Sequence, residues 1–133
     1  MTEPVNETAN ATGDGFAALS SLTELIEGVG GAARLGGWEA VMQIDFTDEA
    51  TQHLLVTTSG LSLRDGTHIK PTVVIRGKGA DLARAFNGEV DMTQLLARGQ
   101  ATSEGRYRDL IELGRLTGAA KKARLAAAAG GKA

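Results

Sequence analysis

The nine residues Trp38-Glu39-Ala40-Val41-Met42-Gln43-Ile44-Asp45-Phe46 set Trp38, Ala40, Met42, Ile44 and Phe46 in strict alternation with Glu39, Val41, Gln43 and Asp45. Side chains of a strand point alternately to the two faces of its sheet, so this period of two predicts a strand buried on one face. Upstream, Phe16, Leu19, Leu22, Leu25, Ile26 and Val29 fall three and four residues apart, the spacing of an amphipathic helix, which Gly28, Gly30 and Gly31 weaken and end. Downstream, Thr47–Thr51 reads as a polar turn, after which Gln52–Thr58 and Leu61–Leu63 resume strand composition around Ser59-Gly60. Asp65-Gly66 is a strong hairpin signal, and Thr67–Arg76 follows as a further strand with Pro71 at its edge or start. An antiparallel meander is the expected arrangement.

Beyond Gly77 the period becomes helical. Leu82, Ala83 and Phe86 share one side of a short helix that exits at Asn87-Gly88. Asp91 with Gln94 three residues on forms a capping box, opening a second short helix that presents Met92, Leu95 and Leu96 before Gly99. Ala101–Glu104 suits a short strand. Tyr107, Leu110, Ile111, Leu113 and Leu116 then predict a final helix with Arg106, Arg108, Asp109, Glu112 and Arg115 on its wet side. Helix, strands, two short helices, short strand and helix make a segregated α+β domain.

At 133 residues, 42% hydrophobic and 23% charged, the chain has material for one domain and one core. Residues 1–15 carry Val5 as their single branched apolar residue and are expected to be a disordered tail; 16–118 form the domain; 119–133 are an Ala/Lys-rich tail expected to fray. No apolar run is long enough to cross a bilayer and no secretory signal opens the chain, so a cytoplasmic protein is expected. The absence of cysteine removes disulfides, thiolate metal sites and cysteine nucleophiles, and two histidines, His53 and His68, leave little for a metal centre. Charge is polarised: residues 1–66 carry ten acids against two arginines, a net −8, whereas residues 67–133 carry twelve bases against six acids, a net +6. Scattered solvated charge explains this, or a basic face that meets an anionic partner.

Gly28-Val29-Gly30-Gly31-Ala32-Ala33 has the letters of a dinucleotide fingerprint, but a helix precedes it where that chemistry needs a strand. Gly77-Lys78-Gly79 lacks the rest of a phosphate loop. No cofactor is therefore expected. A nucleophile would need His53 or His68 as base, oriented by Asp45, Asp48 or Asp65, yet both histidines fall in strand or hairpin positions that ordinarily face water, and no nucleophile elbow is present. Asp48-Glu49 reads as a solvated turn. At 4% the aromatics are too few for base stacking, so nucleic acid is not an expected partner.

The glycines Gly88, Gly99 and Gly105 around the capped helix carry a resemblance. The run Phe86-Asn87-Gly88-Glu89-Val90-Asp91-Met92-Thr93-Gln94-Leu95-Leu96-Ala97-Arg98-Gly99-Gln100-Ala101-Thr102-Ser103-Glu104-Gly105 is similar to the sterol carrier protein 2 (SCP2-like) lipid-binding domain family, whose pattern is a short helix, then Gly-Lys-x-x-Pro-x-x-Ala-Phe-x-x-Gly-Lys, a short strand, a glycine and a closing helix. All three glycines are in register. Glu89 and Gln100 stand where lysine is usual, Met92 for proline, and Leu95-Leu96 for Ala-Phe. The resemblance extends through Pro71–Ile75 and the Trp38 strand and covers about residues 16–118. It implies a twisted, mostly antiparallel five-stranded sheet with helices over one face, and an apolar tunnel between them for fatty acids, fatty acyl-CoA or sterols.

The expected function is non-catalytic binding or transfer of such a lipid. The alternative is a small enzyme or accessory protein that holds a polyketide, steroid or quinone intermediate in the same cavity; ionisable side chains converging there, His53 or His68 among them, would favour chemistry. A pure interaction module would instead show a filled core. By resemblance to the family's tunnel walls, the expected ligand-binding residues are Met42, Phe86, Met92, Leu96, Leu110 and Leu113. Arg106, Arg108, Arg115, Lys121, Lys122 and Arg124 are expected to offer a transient contact to an anionic membrane surface.

Overall fold

The computed structural model describes residues 13–28 and 36–131. The elements run α1 (Asp14–Gly28), β1 (Ala40–Phe46), β2 (Gln52–Thr57), β3 (Gly60–Asp65), β4 (Val73–Gly77), α2 (Gly79–Phe86), α3 (Met92–Ala97), β5 (Ala101–Gly105) and α4 (Tyr107–Gly131). The strands form one five-stranded sheet in the order β3-β2-β1-β4-β5. Neighbours are antiparallel except β1 and β4, which run parallel with Met42 opposite Val73 and Ile44 opposite Ile75.

The alternation that identified β1 is realised: Ala40, Met42, Ile44 and Phe46 are buried, and the residues between them are partly exposed. The same parity turns Leu54, Val56, Val73 and Ile75 inward, where they join Leu19, Leu22, Ile26, Leu82, Phe86, Leu95 and Leu113 of the helices in a single core. Burying that interlayer is the main driving force for the fold.

The expected meander holds for β1, β2 and β3 and fails at β4. Asp65-Gly66 does not close a hairpin onto the next strand. Residues 66–72 instead cross the uncovered face of the sheet to reach the far side of β1. The crossing is pinned in turn by Gly66 N–H to Thr51 O (2.9 Å), His68 N–H to Gln43 Oε1 (3.2 Å) and Thr72 N–H to Val41 O (2.8 Å). Moving from β3 to β4 means three strand spacings, about 14 Å, which seven residues span easily.

Two carboxylates of the β1–β2 turn seat the helices. Glu49 accepts N–H bonds from Gly15 (2.8 Å) and Phe16 (3.0 Å), and Asp48 accepts one from Gly79 (2.8 Å). Anionic oxygens at helix N-termini satisfy orphan donors and oppose the positive end of the helix dipole. Asp48-Glu49 is thus a bracket for α1 and α2, not a merely solvated turn. Gly15 and Gly79 permit the approach, since a Cβ at Gly15 would collide with Phe46 and one at Gly79 with Glu49.

At both ends the helices exceed their expected limits. The helix α1 begins at Asp14, within the expected tail, while residues 1–12 and the connection 29–35, with most of the Gly28–Ala33 motif, lie outside the described residues. The helix α4 continues through the Ala/Lys-rich segment to Gly131, with Ala120 fully buried. Alanine has the highest helix propensity, so a helix anchored by Leu110, Leu113 and Leu116 propagates through it.

Candidate ligand site

The six expected lining residues converge. Met42 rises from the sheet floor, Phe86 ends α2, Met92 and Leu96 lie on α3, and Leu110 and Leu113 come from α4. Five are buried in the common core, and Leu96 is partly buried against it. Cavities among the described residues sit around this interlayer. A groove of about 420 Å³ runs between α1 and α2, lined by Ala17, Ala18, Ser21, Ala80 and Ala83 with Asp14, Arg84, Asn87 and Glu89 at its margins. A smaller one of about 240 Å³ lies where the α2–α3 turn meets Gly114, Thr117 and Gly118 of α4. Further cavities, of about 380 Å³ and 640 Å³, lie beside Thr72 and Arg106 and along the outward side of α4 from Arg115 to Ala126.

The roof is made of short helices held by caps and glycines. The capping box forms, with Asp91 N–H donating to Gln94 Oε1 at 3.0 Å. Gly88, Gly99 and Gly105 all have positive φ, at 79°, 74° and 120°. The first two end α2 and α3 in the left-handed conformation that glycine adopts without steric cost. At Gly105 a side chain would in addition strike the backbone of Thr72. Arg124 closes the same C-terminal end of α2, donating to Asn87 O at 3.2 Å.

Asp109 corrects the helical reading. Its neighbours in the Arg106–Arg115 stretch are exposed or half-buried on the expected wet side, but Asp109 itself is 0% exposed, while Tyr107 and Ile111, read as core, are 61% and 52% exposed. Its carboxylate collects Trp38 Nε1–H (2.9 Å), the Thr72 hydroxyl (2.6 Å), and Arg106 through Nη2 (2.8 Å) and Nε (3.2 Å). Burial alone would raise its pKa. The hydrogen bonds from Arg106, Thr72 and Trp38, with the guanidinium charge, outweigh that and hold the carboxyl below its ordinary range. Arg106 also donates to Glu39 O, and the Thr72 hydroxyl also meets Val41 O (3.1 Å) and Val41 N–H (3.0 Å), so the cluster is a clamp that ties the α4 N-terminus to the loops before β1 and β4.

Nor are the histidines where chemistry in the cavity would need them. His53 and His68 meet edge to face with ring centroids 5.4 Å apart, and His53 Nδ1 lies 2.8 Å from Gly66 O. His53 alternates with the inward Gln52 and Leu54, which places the pair on the uncovered face, beneath the crossing segment. There His53 is buried, against the expectation that it faces water, because residues 66–72 cover it.

The basic residues divide. Arg106 is engaged with Asp109, Arg124 with Asn87, and Arg115 with Glu112 at 3.0 Å, while Arg108, Lys121 and Lys122 are exposed. Among the described residues no helix is long and apolar enough to cross a membrane. No group of three or more histidine and carboxylate side chains suited to a metal ion occurs among them.

A family model described as the SCP-2 sterol transfer family matches residues 22–116. No curated protein matches the chain by sequence. Among solved structures, the sterol carrier protein domain 2 of Helicoverpa armigera is similar at a TM-score of 0.63 and 14% identity, over 82% of this chain and 89% of that one. Sterol carrier protein-2 from Aedes aegypti, in complex with palmitate, is similar at 0.61 and 10%, over 78% and 94%. The inverting sec-alkylsulfatase Pisa1 from Pseudomonas sp. is similar at 0.56 and 18% over 65% of this chain, which spans only 14% of that enzyme. At these identities the likeness is one of fold.

Proposed function

The chain belongs to the SCP-2 sterol transfer family, whose domains bind or transfer lipids, and on that premise we propose that it is a non-catalytic carrier of a single-chain or sterol-like lipid held between the sheet and the helix layer. The observation that carries the reading is the continuous apolar interlayer, floored by Met42, Leu54 and Ile75 and roofed by Phe86, Leu95 and Leu113. Burial of hydrocarbon contributes about 0.8 kcal/mol per methylene, so a chain of fifteen methylenes has roughly 12 kcal/mol with which to part the layer. The groove between α1 and α2 is the favoured entrance. Its walls are alanines, so separating them exposes little apolar surface.

A packed apolar core is also what a pure interaction module has; family membership supports the lipid reading over that one. His53 and His68 on the far face support carriage over chemistry. Displacement of a fluorescent fatty acid by fatty acids, fatty acyl-CoA and sterols tests the proposal. At least one class is expected to compete at micromolar concentration, and failure of all three overturns it.

Delivery follows from the exposed Arg108, Lys121 and Lys122 on α4. Each basic residue close to an anionic surface contributes about 1 kcal/mol. Transfer to anionic vesicles should therefore outpace transfer to neutral ones, with the advantage suppressed by salt. Equal rates would confine these residues to solubility.

A further inference from the structure

Gln52 is a buried polar side chain on the covered face of the sheet. As the first residue of β2 it points the same way as Leu54 and Val56, and it is 2% exposed. Its Oε1 is buried with no hydrogen-bond partner among the described residues. Buried acceptors are nearly always paired, because an unmade bond costs more than a made one returns. Leucine would fill the position without that penalty.

The surroundings indicate what the oxygen awaits. Across the sheet, exposed Asp65 stands opposite Gln52 on one side and buried Ile44 on the other, with Ile75 beyond it. This row passes from solvent to hydrocarbon, with Gln52 at the boundary. Side chains directly opposite in an antiparallel pair have Cβ atoms roughly 5 Å apart, so Asp65 sets a negative charge within a side chain's length of Gln52. It repels an anion and tolerates a neutral donor.

We propose that Gln52 Oε1 accepts a hydrogen bond from the hydroxyl of a neutral lipid, a long-chain alcohol or a sterol, whose hydrocarbon lies in the interlayer. This rests on the lipid-binding reading and specifies its head group. Rotating the amide would offer Nε2 to a carboxylate, but Asp65 opposes that choice.

The test uses the full chain and three probes that share a fourteen-carbon chain: 1-tetradecanol, its methyl ether and myristate, each displacing a fluorescent apolar probe. The alcohol is expected to bind about tenfold tighter than the ether, which lacks the donor, and tighter than myristate at neutral pH. Gln52→Leu should bind alcohol and ether equally while melting no lower than the parent, and Gln52→Met serves if the leucine variant does not fold. Equal binding of alcohol and ether by the parent overturns the proposal, as does tighter binding of myristate or a preference for the alcohol that survives both substitutions. Binding of none of the three overturns the lipid reading itself.

Discussion

Asp109 and Gln52 are both polar side chains shut away from water, and they are treated in opposite ways. The carboxylate of Asp109 receives four hydrogen bonds, from Trp38, Thr72 and two nitrogens of Arg106, whereas Gln52 Oε1 receives none among the described residues. Asp109 joins segments distant in the chain, since Trp38 and Thr72 lie 71 and 37 residues from it. Gln52 Oε1 joins nothing among the described residues. A saturated buried group serves stability, and an unsaturated one is free to serve recognition.

The contrast breaks first at Asp109. Asp109→Ala strands the Trp38 donor, leaves the Thr72 hydroxyl with Val41 O alone and deprives Arg106 of its carboxylate, so a loss of about 3 kcal/mol is expected in urea unfolding. A loss below about 1 kcal/mol would mean that the clamp is not what holds α4. The same residue sets an acid limit. Because its folded pKa is depressed, its contribution is complete above the unfolded value near 3.9 and disappears as pH falls through the folded value. Stability measured from pH 6 down to pH 2 should fall steeply below about pH 4 in the parent, and less so in Asp109→Asn.

Smaller effects sharpen the recognition side. Leu113→Trp or Phe86→Trp overfills the interlayer and is expected to cost about 2 kcal/mol while sharply reducing lipid capacity. Unchanged stoichiometry in both variants would remove these residues from the site. Glu49→Ala deprives Gly15 and Phe16 of their acceptor and should cost about 1 kcal/mol in thermal unfolding, with lipid affinity altered through the seating of α1. No loss of stability would mean that water replaces the carboxylate without cost.

Local signals were legible. Alternation exposed β1, the Asp91/Gln94 pair placed α3, and three glycines in register announced both the family and the turns that need positive φ. Pairings across the chain were not. Helical spacing put Asp109 beside Arg106 on the wet side because its other partners, Trp38 and Thr72, share no local period with it. Asp65-Gly66 reads as a hairpin since nothing nearby records that Gln43 and Thr51 will guide the chain across the sheet. Asp48 and Glu49 look solvated until the helices they cap arrive from 31 to 34 residues away. Gln52 is unremarkable as a letter, and only its inward parity at the start of β2 gives it meaning.

The central claim, that the interlayer opens to one lipid, is tested most directly by native mass spectrometry of the full chain with a lipid mixture, run beside Leu113→Trp. The account predicts a one-to-one lipid adduct on the parent at micromolar concentration and little or none on the folded variant. An adduct equally abundant on both would place the lipid elsewhere, and no adduct on the parent would contradict the claim outright.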